Sequence, residues 1–368
     1  ILDGTSTNTQ QDVQVNPGSN FIVYTDNGQT GLWLADGTGK LVTKLSSKAP
    51  LSRPSVTDDG DLIVFVGSDK KIHYISIDWT KNTFSESVGQ NETIWRNAII
   101  SRQGTLLAAS KDVKENKIHV FDYNAQKWNV FELFNPTFSN GVKTGSVQYS
   151  DAMEFDHTGE LVMYDAINTI KNASGTDIEY WDISFLRVYN NPKSIFGDGK
   201  ISKLFGQLPE KTSVGNPTFS KNSPFIIAFD MVVDKGGIPA QSDYYCLGGN
   251  TETGKIDTIF FNSELSWPNY SNADDRVIFN AATNSGSKVV GQVKVTTSKI
   301  AGTGTATALI SNAKLGVWFA NGARKLPTAV KNELVIKNGL KVSPNPVTDN
   351  RITIQWIQPK SSDETRFY

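Results

Sequence analysis

The 368 residues are 38% hydrophobic and 20% charged, a globular composition far from that of a disordered chain. Thirty-six basic against thirty-seven acidic residues leave a formal charge of −1, and no Lys/Arg run stands out, which argues against a dedicated nucleic-acid surface. One cysteine, Cys246, excludes an internal disulfide, and no apolar run reaches the roughly 18 residues of a membrane-spanning helix. The chain starts at Ile1 with no initiator Met or signal peptide, so it reads as processed or excerpted.

In chain order, six segments share one pattern: an extended run, a tight polar turn, then four to six apolar or β-branched residues. They are VNPGSNFIVYTD (15–26), SVTDDGDLIVFVG (55–67), IISRQGTLLAAS (99–110), MEFDHTGELVMYD (153–165), TFSKNSPFIIAFD (218–230) and NYSNADDRVIFN (269–280). Phe21, Leu62, Leu106, Leu161, Phe225 and Val277 mark the first apolar residue after each turn. A third extended stretch follows, as in GLWLAD (31–36), KIHYISID (71–78) and KIHVFDY (117–123). Most units add a fourth, such as NVFELF (129–134) and KIDTIFF (255–261). Four short strands per repeat joined by turns predict propeller blades, and helical periodicity is nearly absent. Runs such as LIVFV and FIIAF are apolar on both faces, as a strand sandwiched between neighbouring blades must be.

These segments resemble the WD40-like, TolB-type blade, whose turn reads roughly Ser-Pro-Asp-Gly before an apolar strand. Thr57-Asp58-Asp59-Gly60 and Asp156-His157-Thr158-Gly159 approach that pattern; blades one, five and six keep the frame but lose the Asp-Gly. The resemblance implies an all-β fold, a six-bladed β-propeller over 1–327, and says nothing about activity. Seven blades is the alternative, should the Thr- and Gly-rich segment 288–325 form its own. Its end, LGVWFANGARKL (315–326), is similar to GLWLADGTGKL (31–41), so it could instead be an outer hairpin or part of the ring closure.

A polar linker, 328–339, leads into LKVSPNPVTDNRITIQW (340–356). There Val342-Ser343-Pro344-Asn345-Pro346, a polar turn, and Ile352-Thr353-Ile354 closely resemble the opening of the type A sorting domain of type IX secretion. The two prolines pin an extended segment, and Thr348-Asp349-Asn350 turns into an alternating strand. The resemblance implies that 340–368 is the start of a small β-sandwich sorting domain, cut short at Tyr368, with Pro344, Asn345 and Pro346 in its signal. It further implies the secretion machinery of a Gram-negative cell as a partner, and delivery to the outer-membrane surface or the medium.

Chemistry-bearing patterns are scarce. His73 and His119 occupy one slot of the third strand in adjacent repeats, which points to packing or hydrogen bonding, and His157 lies in a turn. No His-Glu-x-x-His, Gly-x-Ser-x-Gly or phosphate-cradling loop is present. Cys246, flanked by apolar residues, reads as a buried inert thiol. No cofactor is expected, with a structural calcium at Asp58-Asp59-Gly60-Asp61 as the alternative.

The stretches 166–176 and 231–242 lengthen the connection after the second strand, on one face beside the central channel. Asp26, Asp165 and Asp230 stand where that strand ends, close to Trp181 and Tyr244. Carboxylates among aromatics suit a sugar or a peptide, so these five are the candidate ligand-binding residues. The expectation is a secreted or cell-surface, non-catalytic binding or scaffold module for a protein or glycan. The alternatives are a carbohydrate-active enzyme using Asp165 and Asp230 as acid and base, and an accessory domain of a larger secreted protease or adhesin.

Overall fold

The computed structural model describes residues 16–89, 91–136, 147–171, 175–206, 208–237 and 241–324, together with the backbone of 340–343 and 353–356. Six four-stranded antiparallel sheets are arranged as blades, each a meander running from an inner to an outer strand.

Blade two runs through Ser55–Val56, Leu62–Val66, Ile72–Asp78 and Thr83–Val88. Blade three follows with Trp95–Ile100, Leu106–Lys111, Lys117–Asp122 and Lys127–Glu132. Blade four comprises Val147–Phe155, Leu161–Lys171, Asp177–Arg187 and Ile201–Lys203, and blade five Thr212–Phe219, Ile226–Gly236, Gln241–Asn250 and Lys255–Asn262. Blade six is built from Asn269–Tyr270, Arg276–Ala282, Lys288–Val295 and Gly302–Ser311.

Blade one closes the ring. Its second, third and outer strands are Asn20–Asp26, Leu32–Asp36 and Thr43–Ser46, but its inner strand is Ala313–Ala320 from the far end of the chain. The segment 288–325 therefore makes no seventh blade. Its first part completes blade six, and its last strand pairs with Asn20–Asp26, Ile22 lying opposite Trp318. Asn16 Nδ2 then donates to the carbonyls of Asp58 and Gly322, and Ser19 N donates to Asn321 Oδ1, pinning the junction.

The two-faced second strands explain the packing. In blade two, Ile63 and Phe65 pack with blade one, while Val64 and Val66 pack with blade three. Blade five repeats the division: Ile227 and Phe229 face blade four, and Ile226 and Ala228 face blade six. Six apolar clusters result, one in each interface between blades. Phe229, fully buried, sits in one of them; its truncation to Ala would cost about 3–5 kcal/mol.

The turn after each inner strand has one construction. Its first residue is Thr57, Ser101, Asp156, Ser220 or Ser271, whose N–H donates to the carbonyl of Leu62, Leu106, Leu161, Ile226 or Arg276. A side-chain oxygen closes the turn: Ser101 Oγ accepts from Leu106 N, and Asp156 Oδ1 from Leu161 N. Gly60, Gly104 and Gly159 take φ of 73–76°, which glycine adopts without strain. In blade six Asp274 takes φ 55°. Its buried carboxylate accepts from Ser220 Oγ, Lys221 N and Asn222 N, clamping the neighbouring turn.

The sorting-signal reading falls mostly outside the described residues, Pro344, Asn345 and Pro346 included. Of the region 340–368, Leu340–Ser343 pairs antiparallel with Thr353–Trp356. The linker 328–339 also lies outside. No helix among the described residues is long and apolar enough to cross a membrane.

Candidate functional site

The five candidate residues lie at the end of the propeller where second strands meet third strands, and the structure separates their roles. Asp165 is buried: Oδ1 accepts from Ala152 N at 2.8 Å and Oδ2 from Asn216 N at 2.7 Å. A Cβ on Gly215 would lie 2.8 Å from Oδ2, so glycine there admits the carboxylate. Asp230 is buried likewise, accepting from Ser266 N (2.9 Å), Trp267 N (2.9 Å) and Asn216 Nδ2 (2.8 Å). Burial pushes Asp165 up to about 7, with Asp151 adding to it, and Asp230 up to about 6, against the N–H groups that favour the charged form.

The strand register gives these carboxylates a structural job. The slot they share is occupied in blade six by Asn280, whose Oδ1 accepts from Leu315 N. Asn216, Trp267 and Leu315 all sit in bulged or irregular stretches leading into the next blade's inner strand, with φ of 51°, 49° and 55°. Such left-handed backbone costs a non-glycine residue about 1 kcal/mol or more. Each strained N–H is captured by an oxygen from the preceding blade, so the slot stitches blade to blade. Asp165 and Asp230 both bond Asn216, but their oxygens are spent on internal donors, and this arrangement does not open an acid–base pair to a substrate.

Asp26 does not belong to that slot. It lies one residue further on, because Thr25 pairs with Leu32 where Asp165 pairs with Ile183 and Asp230 with Cys246. Its Oδ1 accepts from Thr30 N, Thr30 Oγ1 and Trp33 Nε1, which fastens its own hairpin and lowers its pKa against a burial that raises it. Trp181 and Tyr244 are half-buried at the surface of blades four and five. Trp181 meets Tyr149 edge-on at 5.7 Å, and the Arg96 guanidinium covers the Tyr149 ring at 4.3 Å. The stretches 166–176 and 231–242 are mostly strand: the second and third strands of these blades are 10–11 residues long, against 5–7 in blades two and three. They form raised hairpins.

His73 is buried between Asp69 (2.9 Å) and Glu86 (2.7 Å), and His119 bonds Glu115 at 2.8 Å. Cys246 is fully buried, and burial holds its thiol well above the usual range. At Asp58-Asp59-Gly60-Asp61, Asp58 turns away to face Arg102 and Arg324, whereas Asp61 bonds Thr57 and lies against the Asp59 carboxylate. Among the described residues no group of three or more His, Cys, Asp or Glu side chains could hold a metal.

The cluster that sequence reasoning missed lies inside the channel. Arg53 crosses it from blade two, Nη1 donating to Pro268 O and Nη2 to Pro217 O, both at 2.6 Å, on blades six and five. Nη2 also pairs with Glu154 at 3.3 Å. Toward the inner-strand turns a cavity of about 50 Å³ remains, lined by Arg53, Asp58, Arg102, Glu154, Lys221 and Arg324. Asp58, Arg102, His157 and Lys221 are the second residues of successive turns. The signal was a charged or ionisable side chain at that one slot.

The comparisons bear on the frame that holds these residues. No family model and no curated protein matches the chain. Among solved structures, TolB from Acinetobacter baumannii is similar with a TM-score of 0.55 and 15% identity, over 82% of this chain. The chain spans 66% of TolB's length. The fold is a TolB-like, WD40-type six-bladed β-propeller. A nidogen–laminin complex matches at a TM-score of 0.50 and 9% identity, over 83% of this chain and 100% of that one. An oligogalacturonate lyase in complex with manganese is a looser match, TM-score 0.41 and 10% identity over 80% and 86%. At these identities the likeness is one of fold.

Proposed function

We propose that this propeller is a non-catalytic binding or scaffold module for a protein or glycan, working at the surface of a Gram-negative cell or in its medium. One observation carries the binding part: the raised hairpins of blades four and five present the half-buried rings of Tyr180, Trp181 and Tyr244, with Tyr149 of the adjoining inner strand beside them, at one end of the molecule. Rings held in place by their own packing offer large contact area at little entropic cost on binding. The near balance of charge favours a protein or glycan over a nucleic acid. Export by type IX secretion rests on the resemblance of 342–354 to the opening of its sorting domain.

The test of binding is a glycan array and a pull-down with the intact chain, repeated with Trp181→Ala and Tyr244→Ala. A loss of about tenfold or more in affinity supports this face; unchanged binding by both variants moves the site elsewhere. For export, replacing Pro344, Asn345 and Pro346 by Ala in the full secreted protein is expected to hold it inside the cell. Undiminished appearance in the medium would remove the sorting reading.

A further inference from the structure

The cavity at the opposite end of the channel has an unbalanced charge. Four cations border it (Arg53, Arg102, Lys221 and Arg324) against two carboxylates, Asp58 and Glu154. The arginines spend most of their donors on the protein. Arg102 bonds Ser220 O and Lys221 O, and Arg324 bonds Lys221 O, Asn222 Oδ1 and Asn272 Oδ1. What is left over is specific. Lys221, half-buried, borders the cavity with no hydrogen bond from its Nζ among the described residues, and the Glu154 carboxylate acts on it by charge. Arg324 Nε is a buried donor without a hydrogen bond, on a side chain only 3% exposed. Asp58 Oδ2, 3.5 Å from it, is a buried acceptor equally without one. Arg324 Nε and Asp58 Oδ2 attract each other by charge at 3.5 Å but neither makes a hydrogen bond, and a ligand that bonded both would supply what each lacks.

The complement of two donors and one acceptor that lack hydrogen bonds is a group with anionic oxygens and one hydroxyl, carrying a charge near −2. We propose that this channel mouth binds a singly protonated phosphate, with anionic oxygens on Lys221 Nζ and Arg324 Nε and the P–OH donating to Asp58 Oδ2. Sulfate has the same size and charge but no proton at neutral pH, so it sets its oxygens against the Asp58 carboxylate. The cavity of about 50 Å³ has room for one such group and opens to the outside. The group is therefore either inorganic phosphate or the terminal phosphate of a larger molecule reaching in from outside. This site is independent of the aromatic face, and either can fail alone.

Titration calorimetry of the full chain at pH 7 and constant ionic strength, with inorganic phosphate, sulfate and methyl phosphate, tests it. Saturable 1:1 phosphate binding is expected, with sulfate weaker by about tenfold or more. Lys221→Met is expected to weaken phosphate by about tenfold, whereas Asp58→Asn is expected to bring sulfate up toward phosphate. The second variant is a gain of binding, so it cannot be mistaken for misfolding. Methyl phosphate binding as tightly as phosphate identifies a terminal phosphate as the ligand; its exclusion identifies the free ion. No saturable phosphate binding, or sulfate binding equal to phosphate in the unsubstituted protein, would overturn the proposal.

Discussion

The two ends of the propeller are built by different rules. At one end, five blades turn from inner to second strand through the same short device, with Ser, Thr or Asp capping its own loop. The variable second residue of that turn becomes a ring of charge around the channel. At the other end, hairpins vary in length, aromatic rings accumulate, and Asp165, Asp230 and Asn280 lie beneath, holding the next blade. A repeated frame can diversify in two ways: by changing one residue inside a fixed turn, or by extending a hairpin over a fixed anchor. Carboxylates can thus stand at the same end of a protein as its proposed recognition face and be part of the frame.

Substitutions sharpen this contrast, beginning with the largest effect. Asp230→Ala strands the N–H groups of Ser266 and Trp267 and is expected to lower stability by about 3–5 kcal/mol, measured by urea unfolding. Asn280→Ala removes the single bond to Leu315 and is expected to cost about 1–2 kcal/mol. Equal costs would break the stitching account. In the channel, Arg53→Met leaves two proline carbonyls and Glu154 short of a partner, for an expected loss of about 2–3 kcal/mol.

The pH dependence comes next. Asp165 and Asp230 titrate near 7 and 6 in the folded chain, against about 3.9 unfolded, so between pH 4 and 7 the folded state binds more protons. Stability should therefore fall as pH rises through that window, by on the order of 3–4 kcal/mol per group, and level off above it. Unfolding midpoints measured from pH 4 to 8 would check this, and Asp165→Asn with Asp230→Asn should flatten the slope. The smallest effect belongs to the aromatic face: Trp181→Ala should cost under about 1 kcal/mol in stability while acting on binding. A larger thermal shift would make that ring part of the core.

The repeats were legible because their cause is local. A strand buried between two blades must be apolar on both sides, and a tight turn needs Gly60, Gly104 or Gly159, so LIVFV and its preceding Asp-Gly announce themselves. The ring closure was legible only as one alternative among others. LGVWFANG looks like the third-strand run GLWLADG of blade one, yet it pairs as an inner strand, and the choice depends on the partner about 300 residues away. Asp26 looked equivalent to Asp165 because both end a second strand, and only backbone pairing reveals the offset of one residue. The channel cluster could not be read locally at all: Arg53, Arg102, Lys221 and Arg324 come from separate repeats and meet only in the closed ring.

That closure also dictates when the protein becomes whole. Until Ala313–Ala320 has left the ribosome, Asn20–Asp26 waits with one edge unpaired and its apolar face open. Contacts this distant in sequence form slowly, and an unpaired strand edge invites other chains. The propeller is therefore held unfinished until its last strand arrives, which exposes the first blade to misassembly. A version ending just before Ala313 should be soluble only in company, recovering its shape when the missing strand is supplied as a separate peptide.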